Sequence, residues 1–139
     1  MNSPALQNLD RAFSRAEQLR PQSGGFPILA EVLRQAGVRR NIWHLPSAQS
    51  IYETDLGNLV QQGEPLFQGL CEVPAYDEQA LVAAIRRDQA GEGTFPEFLS
   101  SVWGAGVICY VVDFSARTCL YCGIDQEYLE EYEEAIIPE

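Results

Sequence analysis

Residues 24–38 read GGFPILAEVLRQAGV, and residues 93–107 read GTFPEFLSSVWGAGV. The two stretches stand 69 positions apart and carry the same local instructions. In each, Phe-Pro opens a helix, because proline in the first turn lacks only an N–H that would have no partner there. An apolar face follows: Ile28, Leu29, Val32 and Leu33 in one, Phe98, Leu99 and Val102 in the other. Ala-Gly-Val then closes the helix, since glycine enters the left-handed region cheaply just past a helix end. Laying residues 24–52 over 93–121 without a gap leaves seven of 29 positions identical, where random pairing gives about two. The pairs Leu29/Phe98, Leu33/Val102, Ile42/Val111, Leu45/Phe114 and Ile51/Leu120 stay apolar as well.

The flanking sequence fits the same unit. Leu6, Leu9, Ala12, Phe13, Ala16 and Leu19 recur at spacings of three and four, which predicts a helix over 4–19 with Ser3 as its cap. The helix is expected to stop at Pro21 and the Gly24-Gly25 pair. DEQALVAAIRRDQ predicts the corresponding helix over 77–90, with acids at its start and Arg86-Arg87 at its end, as the helix dipole favours. Strands are expected at 38–45 and 49–54, and again at 107–114 and 117–122, where two-residue turn chemistry at Ser115-Ala116 closes the second hairpin. Residues 55–76 are too many for a bare connection, and GLCEV (69–73) reads as a short strand within them. The tail, DQEYLEEYEEAIIPE, reads as a short amphipathic helix, with 135–137 as an edge strand. The expected fold is therefore α+β, a single domain over 1–139. It is an internal duplication of a helix–helix–β-hairpin unit, with repeats at about 4–73 and 74–139. The helices pack on a largely antiparallel sheet, and because a ~70-residue half buries too little surface alone, the halves share one core.

Composition narrows the function. The formal net charge is −11, and all nine basic residues are arginine. Nucleic-acid affinity comes largely from cationic neutralisation of phosphates, so ordinary nucleic-acid binding is not expected. Without lysine there is no Schiff-base chemistry and no phosphate-loop lysine. No apolar run approaches the ~20 residues of a membrane span, and the first residues lack the pattern of a secretory signal. A cytoplasmic location follows, and no membrane association is expected.

The segments FPILAEVLRQAGV and FPEFLSSVWGAGVICYVVDFSARTCLYC resemble the YdfO/YbcV-like family of small bacterial and prophage proteins. That family carries a domain-of-unknown-function label and is sometimes described as phage-envelope-like. The likeness runs from about residue 5 to residue 121. It implies a small α+β domain and no established activity, cofactor or partner.

Few residues offer chemistry. Cys119-Leu120-Tyr121-Cys122 has the spacing of a redox or zinc motif, but it ends a strand instead of opening a helix and lacks a second cysteine pair. Cys109, Cys119 and Cys122 are the metal candidates, and structural thiols are the favoured reading. A turn at Ser115-Ala116 places Cys109 across from Cys122, within reach of a disulfide. His44, the sole histidine, aligns with Asp113 in the repeat. If the first strands of the two hairpins meet about a pseudo-twofold axis, they form the catalytic candidate pair, with Cys119, Ser115 or Ser47 as nucleophile. Trp43, Tyr52, Tyr110 and Tyr121 are candidates to line a ligand cleft between the halves, while Trp103 is expected in the core.

These observations favour a non-enzymatic binding or interaction module for an unknown protein or a small apolar ligand, compatible with a homodimer, with no cofactor. The alternatives are a small enzyme built on His44 and Asp113, and an acidic decoy acting through its Glu-rich tail.

Overall fold

The computed structural model describes residues 3–19 and 25–137. Two helices and three strands come first: α1 (Pro4–Gln18), α2 (Phe26–Gln35), β1 (Val38–His44), β2 (Gln49–Thr54) and β3 (Leu59–Gln62). The same order follows again: α3 (Glu78–Gln89), α4 (Phe95–Gly104), β4 (Cys109–Asp113), β5 (Thr118–Cys122) and β6 (Glu127–Glu131). The strands make one six-stranded antiparallel sheet in the order β3-β2-β1-β4-β5-β6. No helix among the described residues is long and apolar enough to cross a membrane.

Local chemistry sets the helix ends. The Ser3 hydroxyl accepts from the Leu6 amide at 3.1 Å ahead of Pro4, and the Asp77 carboxylate accepts from the Ala80 amide at 3.1 Å. Thr94 caps α4: its hydroxyl accepts from the Glu97 amide at 3.3 Å and donates to the Glu97 carboxylate at 3.1 Å. Such caps satisfy amides that have no partner within the helix. The expected stop at Pro21 and the first glycine of the repeated phrase, Gly24, lie outside the described residues.

Gly106 shows why glycine is needed at the exit of α4. Its φ is +89°, and a Cβ there would stand 2.6 Å from the Tyr76 Cα. The chain before α3 crosses against this corner, where the Asp77 amide donates to the Ala105 carbonyl at 2.8 Å. The long connection is thereby fastened to the start of the second half.

All four helices contribute to a core on one face of the sheet. Leu9, Ala12 and Ala16 of α1, Val32 and Leu33 of α2, Leu81 and Ile85 of α3, and Leu99 and Val102 of α4 join Tyr52, Tyr110, Val112, Cys119 and Tyr121. α1 packs against α2, and α3 against α4. Asn41 and Ser50 are buried on this face too, where the Asn41 amide donates to the Ser50 hydroxyl at 2.7 Å and to the Ile51 carbonyl at 3.1 Å. That pairing removes the penalty of an unsatisfied buried amide.

Three expectations need correction. The extra strand of the first half is 59–62, and 69–73 forms no strand. The tail forms β6, not a helix, and 135–137 is not a strand. β5 offers an open edge, and Tyr128 and Leu129 alternate to opposite faces against Tyr121 and Leu120. Cross-strand pairing thus outweighs the helical reading of an acidic run. Trp103 is half-buried against Phe67 (centroids 5.6 Å apart) and lies outside the central core.

Candidate functional site: an uncovered sheet face

Strand alternation sends every second side chain away from the helices. On that opposite face Val60, Ile51, Ile42, Val111, Leu120 and Leu129 stand in direct register, one from each strand. They form a single apolar row across the sheet. None of the six belongs to the core cluster or packs against it. The outer members are the most open, Val60 at 63% and Leu129 at 56% exposure.

A polar row flanks each side. One contains Glu53, Arg40, Asp113, Thr118 and Glu131; the other contains Gln62, Gln49, His44, Cys109, Cys122 and Glu127. Arg40 grips Glu53 through two bonds of 2.6 and 3.0 Å, and these hold the Glu53 carboxyl below its ordinary pKa. A shallow hollow of about 500 Å³ opens beside them, lined by Arg39, Arg40, Glu53, Asn58, Asp113 and Ser115.

His44 and Asp113 do not meet. The register is centred on Ile42 and Val111, so His44 lies opposite Cys109 while Asp113 lies opposite Arg40. Four positions along antiparallel strands separate the pair by about 13 Å. Asp113 instead caps its own turn, accepting from the amides of Ser115 and Ala116 at 3.0 Å each. Ser47 donates to the His44 carbonyl at 3.4 Å, leaving the imidazole out of that contact. Cys119 points to the helix side. No nucleophile, base and acid are thus gathered in the proposed arrangement.

Cys109 and Cys122 do stand opposite one another, as the turn position predicts, and both are free thiols. Burial, together with the neighbouring Cys109, pushes the Cys122 thiol up to about 11. Burial pushes Cys119 up to about 12. Among the described residues, no three of His, Cys, Asp and Glu are gathered closely enough to hold a metal ion.

The aromatic candidates sit on the helix side. Tyr52, Tyr110 and Tyr121 are buried in the core, with Tyr110 and Tyr121 5.4 Å apart and Tyr52 against Phe13 at 5.7 Å. Burial raises the pKa of all three phenols. Trp43 is half-buried between Tyr110 and Phe95. Through Phe13 of α1 and Phe95 and Phe98 of α4, these rings hold helices to the sheet. Sequence reading missed the apolar row because it noted only that the aligned pairs Ile42/Val111 and Ile51/Leu120 stay apolar, without asking which face each would take. Splitting the strands into odd and even positions isolates these four; Val60 and Leu129 needed strands that the sequence reading did not place.

The molecule is thus a small α+β domain whose helices cover one side of an antiparallel sheet. By sequence it belongs to DUF1398, a protein family of unknown function, whose pattern matches residues 15–133. It is 53% identical over 133 residues to the uncharacterized proteins Rv2012 and MT2067 of Mycobacterium tuberculosis and Mb2035 of Mycobacterium bovis. The match covers 95% of this chain and 80% of each relative.

Proposed function

We propose that the protein is a non-enzymatic interaction module, acting in the cytoplasm, that docks a polypeptide partner on the uncovered face of its sheet. The observation that carries this is the unbroken apolar row across six strands with no helix over it. An exposed apolar patch bounded by polar residues is costly to leave in water and marks an interaction surface. The separation of His44 from Asp113 weighs against catalysis, and the incorporation of Glu127–Glu131 into the sheet weighs against a free acidic tail as the binding element. Photo-crosslinking tests the reading. A photoreactive residue at position 60 or 129 is expected to give a crosslinked polypeptide in cells, and one at Arg11 on α1 is not. Equal or absent crosslinking from the two faces would overturn it.

We further infer that the chain arose by duplication of a helix–helix–β unit, with halves at about 4–73 and 74–139. Support comes from helices α2 and α4, which keep the 69-residue offset, and from the backbone. Ala48 (φ 57°) and Arg117 (φ 56°) are the positive-φ residues other than glycine among the described residues, and they occupy equivalent positions. Gly37 and Gly106, at 87° and 89°, are equivalent as well. The duplication accounts for the two halves of the apolar row, since Val60, Ile51 and Ile42 align with Leu129, Leu120 and Val111.

A further inference from the structure

Resting on the docking role of the uncovered sheet face, we infer that its occupant is a second copy of this chain. The two copies pack face to face about a twofold axis parallel to the strands, passing between β1 and β4. Such an interface is isologous, each copy contributing the same patch.

The arrangement of charges selects this axis. It lays β1 over β4, β2 over β5 and β3 over β6 of the second copy. Arg40 then faces Asp113 of the other copy twice over, Glu53 faces Thr118, Gln62 faces Glu127 and His44 faces Cys109. No like charges are opposed in either polar row. Turning the axis along the apolar row instead stacks each β6 on its counterpart and sets Glu127 against Glu131. Like charges brought face to face oppose association. The apolar row is also complementary to itself under the first axis: β-branched Val60 and Ile51 lie over Leu129 and Leu120, with Ile42 over Val111 at the centre.

Size agrees with shape. Six strands at about 4.8 Å spacing and five residues at about 3.3 Å give a face of roughly 29 by 17 Å. That is about 500 Å² in projection from each copy. Two such faces bring together about 1,000 Å² in projection, close to the lower end of the ~1,200–2,000 Å² of a stable association. Sheets packed this way stand about 10 Å apart, close enough to interleave the two rows.

Sedimentation of the full chain tests the inference. The wild type is expected near twice the 15.5 kDa of one chain at tens of µM, with Val111→Lys raising the dissociation constant about a hundredfold or more. Positions 60 and 129 provide a second test that leaves the fold intact, because both side chains are largely exposed. Mixing Val60→Lys with Leu129→Glu is expected to give more than the statistical half of mixed dimers, since each lysine then faces a glutamate across the interface. A mixed fraction at or below one half would overturn the proposed axis. A wild type that stays monomeric up to ~100 µM would overturn the second copy as occupant. Crosslinks from position 60 to another polypeptide would, in that case, leave the docking surface standing. A dimer untouched by Val111→Lys, together with no crosslink from position 60, would overturn both.

Discussion

Ile42 stands directly across the centre of the sheet from Val111, and neither side chain reaches the core. The neighbouring pairs on the same two strands, Asn41 with Val112 and Trp43 with Tyr110, point the other way, where Asn41, Val112 and Tyr110 are buried and Trp43 half-buried. One antiparallel ladder therefore serves two purposes. Its even side in β1 meets solvent or a partner, while its odd side anchors the helices.

The corner at Gly106 makes a sharp stability prediction. Gly106→Ala forces a side chain into a left-handed backbone and against the Tyr76 backbone at 2.6 Å. The backbone conformation alone costs about 1–2 kcal/mol, and the clash adds to it. Gly104→Ala, two residues earlier in α4, meets nothing within 4 Å. It is expected to stabilise by up to about 1 kcal/mol because alanine loses less freedom on entering a helix. Urea midpoints of the two variants should move in opposite directions; movement together would contradict the crossing at Tyr76.

Much of this fold is legible in the sequence, for physical reasons that can be named. Phe26-Pro27 and Phe95-Pro96 start helices through local chemistry, and Gly37 and Gly106 end them the same way. The hairpin of β4 and β5 follows from its turn, which fixes Cys109 opposite Cys122. What resisted reading depended on distant partners. β3 and β6 are edge strands whose residues gain little from burial; only the neighbouring β2 and β5 decide their conformation. The His44–Asp113 pair failed for a related reason. Equivalent positions on two antiparallel strands fall on opposite sides of their crossing point, so only the central pair, Ile42 and Val111, meets its own equivalent.

Thiol reactivity should separate three of the four cysteines. Cys71 is exposed and is expected to react first with an aromatic disulfide reagent. Cys122, pushed up to about 11, exposes only roughly one thiolate in a thousand at pH 8. It should label slowly, accelerating about tenfold per pH unit between 8 and 10. Cys119 should stay unlabelled until the protein unfolds, because it is buried on the helix side and pushed up to about 12. Mass-resolved labelling would check the order, and early labelling of Cys119 would contradict its placement.

Acid should loosen the attachment of β6 to α3. Burial acts to raise the Glu130 pKa, but bonds donated by Arg86 and by the Tyr128 hydroxyl (2.6 Å) outweigh it, leaving the carboxyl below 4.5. A carboxyl depressed in the folded state stabilises fully above its unfolded pKa and loses that contribution as pH falls through the folded value. Glu130→Gln should therefore be less stable than wild type at pH 7, with the difference shrinking below about pH 4.5. Denaturation midpoints at pH 7, 5, 4 and 3 would test this. A constant difference across the series would mean that Glu130 acts through packing and not through charge.

Salt should strengthen the paired form. Each copy carries a net charge of −11, so two copies repel over a screening length of about 10 Å at 0.1 M salt. Against this stand two Arg40–Asp113 contacts between copies, each worth at most about 1 kcal/mol where solvent reaches them. The attraction that remains is apolar and does not weaken when charges are screened. Raising sodium chloride from about 0.05 to about 0.5 M is expected to lower the dissociation constant, because the screened repulsion outweighs the screened ion pairs. The opposite trend in sedimentation equilibrium would move the driving force from Ile42 and Val111 to the charged rows beside them. It would also make a basic partner a better match to this face than a second acidic copy.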